Sequence, residues 1–423
     1  MRNHMKRPAR FAAAVVLALG LAAPAAAQDS QNHIVTFQPG VNPAGRVRVV
    51  GNAGAALRRG FSGVNAVAVR VPNAAVLAAL RGDASVVSVV PDRQVFAFQG
   101  KGKPGGGGTA SQVVPAGVTR VGAATALSNG EGVGVAILDT GIDLLHADLA
   151  GTVDAFSAHG DSCQDDESHG THVAGTVAAR DNSVDVVGVA PKATLFCVKV
   201  LNAQGSGEDS DLMGGLDWVL SNHATVQPRI RVINMSLGRT GTVGDNPAMH
   251  TLITQLTAAG VAVVVSAGND AGAEIDEMIP AAYSEVLAVA STTALTGQNA
   301  CSRLAGPIAA DTASYFTTDG AGVAVSGPGE DAEDVNKACF VKSVGILSTK
   351  LAGGTTRMSG TSMASPHVAG IVARYFQKDP SYTVANVRQF LKDDAVRKGV
   401  APLNSPTSSY TFDGVREGVA KAP

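Results

Sequence analysis

The chain has 423 residues, 45% of them hydrophobic and 16% charged, which supports a sizeable core and excludes global disorder. Aromatics make up only 4% against 49 glycines, a balance that favours a compact, turn-rich α/β protein over a stacking nucleic-acid surface. The net charge of −2 hides a split: residues 28–98 carry seven basic and three acidic side chains, whereas residues 111–423 carry 20 and 32. Segments of opposite sign attract one another, although an acidic surface also serves solubility.

In chain order, the first 27 residues read as a secretory signal peptide. Arg2, Lys6, Arg7 and Arg10 form the basic region, residues 11–21 the apolar core, and Ala25-Ala26-Ala27 the cleavage site. The apolar core is too short for a membrane span. An exported product, extracellular or periplasmic, is therefore expected. "HIVTF" and "VNAVAVRV" predict strands, "NAAVLAALRG" a helix, and "VVSVVPDRQVFAF" a further strand, together a small α+β domain over residues 28–98. Between the first two strands, "PAGRVRVVGNAGAALRR" predicts only a short helix broken by glycine. Residues 99–112, "QGKGKPGGGGTASQ", lack periodicity and read as a flexible linker; with no Gly-Lys-Ser/Thr they are not a phosphate loop.

Residues 113–423 form the second domain. "GVGVAILD", "RVINMSLG", "VAVVVSAGN" and "EVLAVAST" are unbroken β-branched runs, as in buried parallel strands. They alternate with helical patterns in "HGTHVAGTVAA", "SDLMGGLDWVLSNHA" and "NPAMHTLITQLTAAG". The alternation predicts a doubly wound, mostly parallel α/β sheet with helices on both faces, whose working residues lie at the carboxyl ends of strands. Asp139 and Asn269 fall at such ends.

The segment "GTSMASPHVAG" sets Ser362 close to His367. If a helix starts at Ser362, five residues turn the chain by about 500°, so the two side chains diverge by roughly 140°. His367 is thus structural. Ser365 lies a turn inside, where a hydroxyl bonds the backbone, and Pro366 requires that the helix has just begun. At a helix start, Ser362 has free N–H groups beside it to stabilise an oxyanion. A serine nucleophile needs a base and an orienting carboxylate. "SHGTHVAG" offers His169, at a strand-end crevice, and His172, one turn in and expected to be packed. "LDTGID" offers Asp139 directly after a buried strand, and Asp143, which reads as a solvent-facing turn residue.

Together, "AILDTGID", "SHGTHVAGTVAA", "INMSLG", "SAGN" and "GTSMASPHVAG" resemble the subtilisin-like serine proteases, in the family's order Asp, His, Ser. The resemblance covers about residues 111–395. It implies that Asp139 orients, His169 acts as base and then acid, and Ser362 attacks the peptide carbonyl. It also implies that Asn269 donates to the oxyanion with the Ser362 backbone N–H. Ser206, Gly207, Ser236, Leu237, Gly238, Ala267 and Gly268 resemble the cleft segments that pair with an extended substrate. Residues 28–98 resemble the inhibitory propeptide that assists folding and is cut away. The expected partners are protein or peptide substrates and the chain's own propeptide, with no nucleic acid, no membrane after signal removal and a monomeric state.

Two positions depart from the family pattern: Arg239 stands near the expected pocket for the residue before the scissile bond, and Asp209 replaces an aromatic further out. Four cysteines in an exported chain favour two disulfides, with three connectivities, of which local pairing, Cys163–Cys197 and Cys301–Cys339, is the expectation. No cofactor is needed for the chemistry. A structural calcium ion is conceivable in the acidic insertion "GEDAEDVNKAC" (329–339), although a solvated loop is the simpler account. The competing classes are an esterase, which lacks its G-x-S-x-G elbow, a zinc enzyme, which lacks H-E-x-x-H, and a catalytically silent module of the same fold.

Overall fold

The computed structural model describes residues 31–98, 111–407 and 414–423. The signal-peptide reading and nearly all of the linker lie outside the described residues. The N-terminal unit runs β1 (Asn32–Phe37), α1 (Pro43–Ala53), β2 (Ala56–Gly60), β3 (Ala66–Arg70), α2 (Ala74–Gly82) and β4 (Val86–Pro91). Its strands pair antiparallel in the order β2-β3-β1-β4. Strand alternation gives this sheet two buried faces. Val35, Phe37, Val67 and Val69 pack with Val50 and Leu80 from α1 and α2. Ile34, Ala66 and Ala68 turn instead to the large domain, joining a core with Leu212, Met213 and Leu252.

Helix α1 is longer than its glycine-interrupted sequence predicts. Asn42 accepts from Gly45 N at 2.8 Å, Pro43 occupies the first turn, and Gly54 ends the helix at φ 86°. Buried Arg46 donates to the carbonyls of Phe61, Val64 and Ala66. These tertiary contacts offset the roughly 1 kcal/mol that each interior glycine costs a helix.

The stretch predicted as one strand, "VVSVVPDRQVFAF", divides. β4 stays in the small sheet, and β5 (Gln94–Ala97) crosses into a four-stranded antiparallel sheet of the large domain. Its other strands are β9 (Ser206–Glu208), β11 (Leu237–Thr240) and β13 (Met278–Ile279), in the order β13-β11-β5-β9. The break is anchored on α5 (Asp209–Asn222), where Asp92 accepts from Ser210 N at 2.9 Å and Arg93 O from Asp209 N at 2.8 Å.

The central sheet uses β6 (Gly134–Asp139), β7 (Val153–Ser157), β8 (Thr194–Lys199), β10 (Ile230–Met235), β12 (Ala262–Ser266), β14 (Leu287–Thr293) and β15 (Val323–Glu330). Its order is β15-β14-β12-β10-β6-β8-β7, and every neighbouring pair is parallel. In β6, Ala136 and Leu138 point to the core under α5 and α6 (Pro247–Ala258). Val135 and Ile137 point to the opposite core under α4 (His169–Ala178) and α7 (Thr361–Lys378). Burial on both faces explains why the strand sequences are apolar without interruption. Two hairpins, β16 (Ala332–Val335) with β17 (Val341–Val344) and β18 (Ile346–Thr349) with β19 (Thr355–Met358), lead into α7. Short α3 (Ala116–Arg120) precedes β6, and α8 (Val384–Arg397) follows α7.

The opposite charges of the two segments meet in specific pairs. Arg58 lies 2.6 Å from Glu208, Arg93 2.7 Å from Asp245, and Arg59 3.7 Å from Asp211. Asp217 on α5 accepts from the backbone N–H groups of Ser62 and Gly63. Disulfides join Cys163 to Cys197 and Cys301 to Cys339. Among the described residues no helix is long and apolar enough to cross a membrane.

Candidate active site

Asp139 is the last residue of β6 and His169 the first of α4, and both are fully buried. Gly170 permits this approach, because a Cβ there would overlap the Gly141 carbonyl and lie 3.1 Å from the Asp139 carboxylate. His169 Nδ1 is 2.7 Å from Asp139 Oδ1, which fixes the ring and its tautomer. The loop before α4 is organised by Asp165. Its carboxylate accepts from the N–H groups of Glu167, Ser168 and Thr171 and from the Thr140 hydroxyl. The Cys163–Cys197 bridge ties that loop to β8.

Burial opposes the charged form of His169, but the Asp139 charge, its hydrogen bond and the charges of Glu167 and Asp165 outweigh it. The imidazole therefore sits above its ordinary value. Its Nε2 is buried without a hydrogen-bond partner. His172 and His367 differ sharply. His172 Nε2 pairs with Ile346 O at 2.9 Å, and burial pushes it down to about 3. His367 Nδ1 pairs with Met363 O at 2.8 Å, and burial pushes it down to about 4. Both are neutral packing groups. Asp143 is not the solvent-facing turn residue its sequence suggests. It is 4% exposed and accepts from Leu145 N, Gln164 Nε2 and Ala352 N, because the β18–β19 connection closes over its turn.

Ser362 is the second residue of α7, so its N–H belongs to the first turn, where a helix leaves donors unpaired. Pro366 stands four residues on, inside the helix, and has no N–H to return to the Ser362 carbonyl. That carbonyl is satisfied from outside, by the Ser236 hydroxyl at 2.8 Å. The Ser362 hydroxyl in turn donates to Ser236 O at 3.0 Å. The proline therefore does not require the helix to have only just begun; it requires Ser236.

Asn269 follows the carboxyl end of β12. Its Oδ1 accepts from Thr361 N at 2.9 Å and from the Thr361 hydroxyl at 2.8 Å. The amide nitrogen is thereby aimed the other way, and it donates to Phe98 O at 2.9 Å. Phe98 is the residue just past β5. Phe98 N reaches toward Ser236 O, Ala97 N donates to Gly205 O at 2.9 Å, and in register Leu237 opposes Ala97, Gly238 opposes Phe96, Ser206 opposes Phe96 and Gly207 opposes Val95. A Cβ on Gly238 would fall 2.7 Å from the Phe98 ring, so the ring fills a pocket that only glycine leaves open. A Cβ on Gly268 would meet Met278 and Thr318. Ala267 is buried and donates to Val289 O in the sheet.

Arg239 and Asp209, the two departures from the family pattern, form one ion pair. Arg239 Nε and Nη2 reach the two Asp209 oxygens at 3.0 and 2.7 Å, and both side chains are buried. Arg239 therefore does not line the pocket that holds the Phe98 ring. It follows Gly238 on β11, on the Val95 side of the cleft. Asp165 and Thr361 are residues that sequence reasoning did not assign, and for Ser236 it foresaw only a place in the cleft, not the bonds to Ser362. A signal existed for Ser236, since Pro366 lies four residues after Ser362 and must orphan its carbonyl.

A buried carboxylate–imidazole pair at the carboxyl edge of a parallel sheet, in a chain that also sets a serine in the first turn of a later helix, fits the subtilisin-like serine hydrolases. The family model of the subtilases, peptidase S8, matches residues 130–412. Subtilisin E of Bacillus subtilis (strain 168) is 33% identical over 391 residues, 90% of this chain and 89% of that one. Alkaline elastase YaB of Bacillus sp. (strain YaB) is 38% identical over 295 residues, 69% of this chain and 67% of that one. Among solved structures, fervidolysin from Fervidobacterium pennivorans, described as a keratinolytic enzyme related to subtilisin, superposes with a TM-score of 0.67 at 22% identity. That match covers 92% of this chain and 60% of fervidolysin, and it speaks for the fold. The chain belongs to the subtilase family of serine endopeptidases.

Proposed function

We propose that this chain is the precursor of an exported endopeptidase that cuts itself after Phe98, with residues 28–98 as its inhibitory propeptide. The observation that carries the reading is the Phe98 carbonyl on the Asn269 amide at 2.9 Å, at the end of a strand held between β9 and β11. That is the position of the carbonyl just before a scissile bond, and it supports cleavage at Phe98–Gln99. The N-terminal unit then occupies the cleft as a product would. Refolding the full chain and sequencing the amino terminus of the large fragment tests this. A terminus at Gln99 is expected as the first product, and a first cut elsewhere overturns the assignment.

In this mechanism the Ser362 hydroxyl leaves Ser236 O, gives its proton to His169 Nε2 and attacks the carbonyl carbon. Asp139 holds the resulting imidazolium, while Asn269 Nδ2 and the Ser362 N–H receive the oxyanion. The leaving amine takes the proton from His169, and water repeats the sequence on the acyl-enzyme. Activity needs neutral His169, so kcat/KM rises with pH through a value above the ordinary 6.5 or so of histidine. Glu167→Gln keeps an acceptor for His169 N, now at 2.7 Å from Glu167 Oε2, and removes a charge that raises the imidazole. Its acid limb is expected to move to lower pH; an unmoved limb in a pH–rate profile contradicts the electrostatic account.

The pocket around Gly238 supports preference for an aromatic residue before the cut. Gly238→Val is expected to lower kcat/KM for a phenylalanyl substrate, relative to its alanyl counterpart, by roughly 10–200-fold. Paired peptide assays read the ratio, which a general loss of folded enzyme does not change.

A structural calcium ion fits around Gln112. Gln112 Nε2 lies 2.7, 3.3, 3.1 and 3.3 Å from Arg180 O, Asn182 Oδ1, Val184 O and Val186 O. One amide cannot satisfy four oxygens, and nearby Asp148 keeps a buried, unpartnered Oδ1. Hard oxygens of this kind suit calcium, which would fasten the start of the mature chain to the loop after α4. Gln112 thus belongs to the catalytic domain rather than to the linker.

A further inference from the structure

The insertion between β15 and β18 contains a feature that the peptidase chemistry does not use. Glu330, at the end of β15, and Glu333, in β16, are both completely buried. In the hairpin, Glu333 stands directly opposite Ser343, so the two side chains share the inward face, while Asp334 and Lys342 share the outward one. An inward position in a hairpin is normally apolar. Here it brings a carboxylate against Glu330, with the hydroxyls of Ser314 and Ser343 facing the same group.

The hydrogen bonds do not account for these oxygens. Glu333 Oε1 accepts from Tyr315 N at 2.8 Å, but Glu333 Oε2 and both oxygens of Glu330 are buried without a partner. The guanidinium packed in this region is already committed: Arg357 pairs with Asp331 and donates to Gly345 O at 2.6 Å. Burial and the Glu333 charge push Glu330 well above the ordinary carboxylate range when nothing neutralises it. Two carboxylates removed from water are strongly disfavoured unless paired. Sharing a single proton still leaves one negative charge among the described residues of this pocket. A hard cation removes the remaining charge and uses the neutral hydroxyls as further ligands.

We propose that Glu330 and Glu333, with the Ser314 and Ser343 hydroxyls, bind a calcium ion that pins the β16–β17 hairpin to the end of β15. Among the described residues no group of three or more His, Cys, Asp or Glu side chains is arranged for a metal. The site therefore rests on two carboxylates completed by neutral oxygens. It lies beside the nucleophile's support, since Gly329 O accepts from Gly360 N at 3.0 Å, two residues before Ser362. The Cys301–Cys339 bridge holds the far side of the same hairpin to the loop after β14. A bound cation and a disulfide thus fasten the insertion at two points.

The test uses the full chain carrying Ser362→Ala, so that self-digestion does not interfere, stripped with a chelator and dialysed against calcium. Bound calcium per chain is measured with and without Glu330→Gln/Glu333→Gln. The expected result is one ion fewer in the glutamine variant, together with a smaller rise in Tm on adding calcium. Asp148→Asn, at the Gln112 loop, is expected to lose a different ion, additively with the glutamine pair. Should the double variant fail to fold, Glu333→Gln alone is expected to weaken one calcium site by about tenfold or more. Equal stoichiometry and unchanged affinity in the glutamine variants mean that the carboxyls share a proton instead, and overturn the proposal. Because the readout is metal content, its outcome is independent of whether the chain cuts after Phe98.

Discussion

Ser362→Ala is expected to accumulate as an uncut precursor with its propeptide still seated, and to lower kcat by roughly 10⁶-fold, a magnitude that belongs to subtilisin itself. The geometry gives the reason for the collapse. His169 and Asp139 are already positioned by their 2.7 Å bond, but without a hydroxyl no covalent step is open to them. The fold does not depend on that hydroxyl. Its single hydrogen bond goes to Ser236 O, while the Ser362 carbonyl keeps the Ser236 hydroxyl. Thermal stability is therefore expected to change by no more than about 1 kcal/mol. Gel analysis of purified material, free of other proteases, separates the outcomes. Normal conversion to the shorter form would overturn self-processing through Ser362. An inactive wild type beside a correctly folded variant would instead indicate a silent module.

Asn269→Ala should cost about 10²–10³-fold in kcat with little change in KM, the scale of losing one oxyanion donor in subtilisin. The loss falls on kcat because the amide gains most as negative charge develops on the carbonyl oxygen it already touches at 2.9 Å. Thr361→Val removes one of the two donors that orient this amide and keeps the other, the Thr361 N–H. A smaller loss, roughly tenfold, is expected from that loosening. Steady-state kinetics on one peptide substrate distinguish the two accounts. If Asn269→Ala raised KM alone, the amide would be a binding group rather than a transition-state donor.

The end of the N-terminal unit shows where sequence reasoning stops. Its residues were legible as β-forming, yet "VVSVVPDRQVFAF" contains nothing local to say that β4 and β5 belong to different sheets. That division depends on Asp92 and Arg93 meeting the start of α5, more than a hundred residues away. Arg239 and Asp209 teach the same lesson. Read singly they were two specificity changes, but 30 residues apart in sequence they neutralise each other in one buried pair. Asp143 looked like a surface turn because the segment that covers it, around Ala352, is remote in the chain.

What the sequence determined alone is whatever short-range periodicity and local chemistry encode: apolar strands buried on both sides, a histidine beginning a helix, a serine in the first turn of another. His169 is set apart from His172 and His367 by the acid its ring faces, whereas the other two rings pair with backbone carbonyls, Ile346 O and Met363 O. Tertiary structure decided the rest. It aimed the Asn269 amide through Thr361 and supplied Ser236 to the carbonyl that Pro366 orphans. It also set Phe98 against Gly238, and turned two carboxylates of a surface-like insertion inward. Each of these depends on a partner distant along the chain, and a one-dimensional pattern carries no term for such an encounter.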